Sequence, residues 1–77
     1  MSRLRVVNAK ALEKILFKMG FYMVRQKGSH IFYRHPDGRY TTIPHPSGVD
    51  ISRPLLRSVL KEANVSVEEF TELLKKI

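Results

Sequence analysis

Phe21-Tyr22-Met23-Val24-Arg25-Gln26-Lys27-Gly28-Ser29-His30-Ile31-Phe32-Tyr33 is the stretch that decides how this chain folds. Two runs rich in aromatic and β-branched residues flank the pair Gly28-Ser29. A two-residue loop with glycine first suits a type II′ turn, because glycine takes the required left-handed φ without strain. The turn sets Lys27 opposite His30 and fixes the register of a hairpin. Side chains alternate along a strand, so one face should carry Met23, Arg25, Lys27, His30, Phe32 and Arg34. The other should carry Tyr22, Val24, Gln26, Ile31, Tyr33 and His35. A slip of one residue would exchange the two faces.

Towards the C-terminus, Pro36-Asp37-Gly38 suits a type I turn followed by a left-handed glycine and a bulge. That loop pairs Ile31 with Ile43 and Tyr33 with Thr41 on the second face. It pairs Phe32 with Thr42 and Arg34 with Tyr40 on the first. The second face is the better core face, although Phe21, Met23 and Phe32 make the first partly apolar as well. The first interleaves Arg25, Lys27, His30 and Arg34 with Phe32 and Tyr40. Cations serve phosphates and rings serve bases, which is what single-stranded RNA requires of a surface.

Helices flank this meander. Asn8 is a good N-cap, Val7 and Leu12 hold the positions of a hydrophobic staple, and Leu12, Ile15, Leu16 and Met19 form one apolar stripe. Gly20 ends that helix where a left-handed residue is wanted, while Lys10, Lys14 and Lys18 line another side. Beyond the Pro- and Ser-rich loop after Ile43, Ser52 or Arg53 can cap a second helix that tolerates Pro54 in its first turn. Leu55, Leu56, Val59, Leu60 and Ala63 are its apolar face, and Asn64 suits its left-handed end. Ser66-Val67-Glu68-Glu69 is a capping box for a third helix with Phe70, Leu73, Leu74 and Ile77 inward. The expectation is a single domain over 1–77: helix 9–19, strands 21–27, 30–35 and 39–43, helices 53–63 and 67–76. This is an α+β fold, α-β-β-β-α with a short extra C-terminal helix, its helices on one face of a three-stranded antiparallel sheet.

Composition narrows the function. The 77 residues include no cysteine, which excludes disulfide frameworks and thiolate metal sites. No apolar run approaches the roughly 20 residues that span a bilayer, and Met1–Val7 lacks the apolar stretch of a secretory signal, so a cytoplasmic location away from membranes is expected. The net charge is +7 and unevenly spread: residues 1–61 hold twelve basic and three acidic side chains, residues 62–77 two and four. A basic body with a mildly acidic tail points to nucleic acid or another polyanion. His35 precedes a turn on the core side, and His45 sits in a proline-flanked loop. Because His30 and His35 lie on opposite faces of one strand, no metal site is expected, nor any cofactor. Asp37 reads as a turn residue, and Asp50 as a loop cap or a partner for a histidine.

Several segments together carry a family resemblance. They are Leu16 to Phe21, Arg25-Gln26-Lys27-Gly28-Ser29-His30, His35-Pro36-Asp37-Gly38-Arg39, Thr42-Ile43-Pro44-His45 and Leu55 to Lys61. Over roughly residues 8–70 the chain resembles the HicA-type (YcfA-like) mRNA interferase toxins, with the Arg25–His30 block the specific part. The resemblance implies a double-stranded-RNA-binding-domain-like fold, translation-independent cleavage of mRNA and a HicB-type antitoxin that neutralises the toxin. The family's essential histidine in Gly-Ser-His falls on His30. Pro54 and Asn64 stand where glycine is common, and both suit the backbone geometry expected there.

The chemistry follows from RNA itself, which supplies its own nucleophile in the 2′-hydroxyl. Histidine, with an ordinary pKa of about 6.5, suits removal of that proton near neutral pH. His30 is the expected general base; Lys27, and next to it Arg25, would stabilise charge on the phosphorane, with Arg34 binding phosphate further along. The N–H groups and hydroxyl of Gly28-Ser29 would hold a non-bridging oxygen. No second histidine shares the face to act as the acid. The competing readings are a non-catalytic RNA-binding module and an antitoxin-binding subunit, both using the same basic face.

Overall fold

The computed structural model describes residues 4–44 and 50–77. Its elements are α1 (Ala9–Lys18), β1 (Tyr22–Lys27), β2 (His30–Arg34), β3 (Tyr40–Pro44), α2 (Arg53–Glu62) and α3 (Val67–Leu74). The strands form one antiparallel sheet in the order β1-β2-β3. This is the α+β order expected from the sequence.

Capping chemistry sets the helix limits. The Asn8 side chain accepts from the Ala11 N–H at 2.8 Å, and the staple residues Val7 and Leu12 are both buried. At the other end Gly20 is left-handed (φ +100°), so the Phe21 N–H reaches the Leu16 carbonyl and the Gly20 N–H that of Phe17. That is a Schellman closure, with Leu16 and Phe21 both buried as its apolar contact. α2 ends the same way with asparagine in place of glycine: Asn64 has φ +56°, and the Val65 N–H bonds the Leu60 carbonyl. Ser52 caps α2 and Ser66 caps α3, each accepting from the N–H three residues on.

The core lies between the sheet's inner face and the helices. Ile31, Tyr33, Thr41 and Ile43 meet Leu12, Ile15, Leu16, Leu56, Val59 and Phe70, all at 3% exposure or less. Polar ties lock the layers together. The Tyr33 hydroxyl donates to the Glu13 carboxylate, Thr41 to Glu62 at 2.8 Å, and Arg39 to the Ala63 carbonyl at 2.6 Å. Burial, reinforced by the Glu13 carboxylate, pushes the Tyr33 hydroxyl pKa up from its ordinary value.

Three expectations need correction. Strict alternation put Met23 on the outer face and Tyr22 on the core face, but β1 carries a bulge between Met23 and Arg25. The extra residue reverses the alternation, so Met23 pairs with Tyr33 and Tyr22 with Arg34, and Phe21 turns inward at 3% exposure. Leu55 is half-exposed because it lies about 100° around α2 from Leu56, off the Leu56-Val59-Leu60-Ala63 stripe. Ile77 is exposed because α3 ends at Leu74, before the chain can return that side chain to the core.

Candidate functional site

Local chemistry places the site at the β1–β2 turn. Gly28 has φ +60°, and a Cβ built there would meet nothing within 4 Å, so conformation and not space calls for glycine. Lys27 and His30 pair across the turn as expected. Gln26 steadies the loop by donating from Nε2 to the Gly28 carbonyl at 3.1 Å. Among the described residues, no backbone hydrogen bond outside the helices and strands uses the Gly28 or Ser29 N–H.

From this turn the outer face of the sheet runs as three cross-strand rows. The first is Lys27–His30–Pro44, the second Arg25–Phe32–Thr42, the third Tyr22–Arg34–Tyr40. The structure thus brings Arg25, Lys27, His30 and Arg34 onto one exposed face, with Gly28 and Ser29 at its end. The His30 ring makes no hydrogen bond or ion pair among the described residues. No ion pair among them engages Arg25, Lys27 or Arg34. The Arg25 guanidinium lies over the Phe32 ring, 5.0 Å from its centroid, and Phe32 meets Tyr40 at 5.9 Å. A row of cations without local counter-ions makes a surface of strongly positive potential.

The second histidine is differently employed. His35 donates from Nε2 to the Met19 carbonyl at 3.0 Å, which leaves Nδ1 to accept the Asp37 N–H at 3.1 Å. Its ring also meets Phe21 edge-on at 5.1 Å. Asp37 in turn accepts the Arg39 N–H and guanidinium, and this pairing holds its carboxyl below the usual carboxylate range. The whole group is a structural clasp between the β2–β3 turn and the end of α1. His45 lies outside the described residues. Asp50 forms an isolated bridge with Asn8. Among the described residues no cluster of three or more histidine, aspartate or glutamate side chains is arranged to hold a metal, and no helix is long and apolar enough to cross a membrane.

Tyr22 is the outer-face residue that the sequence reading placed on the wrong side. A signal was present. Phe21 follows the left-handed Gly20 at the position where a Schellman closure wants an inward apolar residue, whereas alternation from Lys27 sends it outward. Both can hold only if one extra residue intervenes.

The fold and face together define a class: a small α-β-β-β-α domain, helices behind the sheet, with a histidine that has no partner among the described residues on a cationic outer face. A family model described as the HicA toxin of bacterial toxin-antitoxin matches residues 9–65. The chain belongs to that HicA toxin family. No curated protein matches it.

Proposed function

We propose that this protein is the toxin of a HicAB-type toxin–antitoxin pair and acts as a metal-independent mRNA endoribonuclease. The observation that carries this reading is the exposed His30 ring, without a hydrogen bond or ion pair among the described residues, opposite Lys27 at one end of a cation-lined face. A histidine already committed to an intramolecular bond must break it before taking a proton; His30 has none to break among the described residues.

His30 acts as general base on the 2′-hydroxyl, whose oxygen attacks the adjacent phosphorus. As the P–O5′ bond breaks, the 5′-oxygen takes a proton from water, the 5′ fragment keeps a 2′,3′-cyclic phosphate and the 3′ fragment leaves with a 5′-hydroxyl. Lys27, directly across the ladder, and Arg25 in the next row stabilise the extra negative charge of the phosphorane. The N–H groups of Gly28 and Ser29, unused by any backbone bond between loops or caps among the described residues, donate to a non-bridging oxygen. Arg34, two rows away, binds a flanking phosphate. A HicB-type antitoxin neutralises the toxin by covering the same face, for which an acidic surface is the complement.

End-labelled mRNA incubated with wild type and His30→Ala in EDTA tests the reading, with binding followed in parallel. Cleavage by the wild type, lost in the variant while binding persists, supports it. Equal cleavage rates remove His30 from the chemistry. Binding by both proteins without cleavage by either makes this a non-catalytic RNA-binding module.

A further inference from the structure

The outer face holds more than the cations and the histidine. In its third row Arg34 is flanked by two tyrosines, Tyr22 on β1 and Tyr40 on β3. They are 48% and 44% exposed, far more than core packing would leave. Neighbouring strands are about 4.8 Å apart, so the two tyrosines stand roughly 10 Å apart with the guanidinium between them. Tyr40 meets Phe32, tilted 43° to it, and Phe32 in turn carries the Arg25 guanidinium over its ring. The open aromatic surface is therefore Tyr40 and Tyr22, while Phe32 is the buttress.

We propose that the Tyr22–Arg34–Tyr40 row is a stacking platform for unpaired bases of single-stranded RNA. Each tyrosine takes one base, and Arg34 takes the phosphate between them. The proposal rests on the reading of this face as an RNA surface. A ring among cations without counter-ions fits a ligand that is both anionic and flat-faced. Single-stranded nucleic acid offers both; a duplex offers phosphates but keeps its base faces stacked away. A cross-strand aromatic pair accounts for the Phe32–Tyr40 contact by itself. It does not account for Tyr22, which the β1 bulge carries to the same row from the opposite face.

The row lies four residues along β2 from His30, ~13 Å at strand rise. The platform therefore grips nucleotides flanking the reacting one. It holds substrate and transition state equally, so its loss raises KM and leaves kcat unchanged.

The test uses 2′-O-methyl RNA, which lacks the free 2′-hydroxyl and cannot be cut by this mechanism. Single-stranded oligonucleotides carrying 2-aminopurine at successive positions report stacking by fluorescence quenching. Wild type, Tyr22→Leu, Tyr40→Leu, the double variant and Tyr40→Trp are compared, with circular dichroism confirming equal folding. Each leucine variant should weaken binding by ~5- to 150-fold, the range for losing one stacked base. Quenching should disappear at one position per variant, Tyr40→Trp should restore it, and a duplex of the same sequence should not be quenched.

Binding within two-fold of wild type in the double variant, or unchanged quenching, overturns the platform while leaving the cleavage reading intact. A wild type that fails to bind the single strand overturns the platform and the RNA surface together. Loss of binding in the leucine variants of a protein that never cleaves mRNA upholds the platform and removes only the nuclease.

Discussion

Two turns bracket β2, and each carries a histidine beside a glycine. His30 follows Gly28-Ser29, and His35 precedes Pro36-Asp37-Gly38. The first turn is closed by strand pairing and one glutamine, and among the described residues its histidine is unengaged. The second binds its histidine through both ring nitrogens and an edge-on ring contact, to Met19, Asp37 and Phe21. The residue type is the same, and the difference lies in what each turn projects toward. The β2–β3 turn folds back over the end of α1, where an exposed helix carbonyl needs a donor. At the β1–β2 turn no hydrogen bond or ion pair among the described residues engages the imidazole. Availability for chemistry comes from the absence of packing duty.

The sharpest way to break this contrast is to remove each ring in turn. His30→Ala should lower RNA cleavage by about 10²–10⁴-fold, the usual worth of a general base, and move the melting temperature hardly at all. His35→Ala should do the reverse. It should destabilise by about 1–3 kcal/mol, because the Met19 carbonyl loses its donor, while activity per folded molecule is kept. Chemical denaturation and a cleavage assay on the same preparations separate the two outcomes. A His30→Ala protein that melts early would show that His30 also carries structure, and the contrast would fail.

The glycines sharpen the comparison further. A Cβ at Gly20 would lie 3.0 Å from His35 Nε2, whereas one at Gly28 meets nothing within 4 Å. Gly28→Ala should therefore cost only the left-handed strain, about 1–2 kcal/mol. Gly20→Ala should cost more, because it adds crowding of the clasp. In a double-mutant cycle, the excess at Gly20 should shrink when His35 is already alanine. Equal losses at the two glycines, with no coupling, would detach Gly20 from the clasp.

The smallest effect concerns Asp37. Arg39 lowers its pKa in the folded state, so the pair contributes stability at pH above the ordinary aspartate value and loses it as pH falls through the lowered one. Asp37→Asn should lower stability slightly at neutral pH and hardly at all below the lowered pKa, which flattens the acid side of the stability–pH curve. Urea denaturation at a series of acidic pH values would read this. Tyr33 works at the opposite end. Its raised pKa stabilises the fold below the ordinary tyrosine value, and that contribution is lost as pH rises through the raised one.

Much of this architecture was legible residue by residue. Asn8, Gly20, Ser52, Asn64 and Ser66 each announce a helix end by the one hydrogen bond or φ value that their chemistry favours. Gly28-Ser29 and Pro36-Asp37-Gly38 set both registers of β2, so Lys27↔His30, Ile31↔Ile43 and Arg34↔Tyr40 could be paired from turn types alone. The cationic face and the position of His30 on it follow from those registers. The bulge at Val24 was not legible from alternation, because an unpaired extra residue leaves no periodic trace. It shows only as a conflict between the demands on Phe21 and on Lys27. The solitude of His30 was beyond the sequence too, because it depends on which turn reaches the helices.

That bulge also bears on how copies of the protein treat each other. All six residues of β1 are exposed, with Tyr22, Met23 and Val24 each about half-open to solvent. A flat apolar edge of this length would invite a second molecule to continue the ladder and, with it, aggregation. The extra residue kinks the edge so that regular hydrogen bonding cannot run past Val24, and beyond it Arg25 and Lys27 set charge along what remains. The irregularity that aims Tyr22 outward thus also works against edge-to-edge pairing between copies.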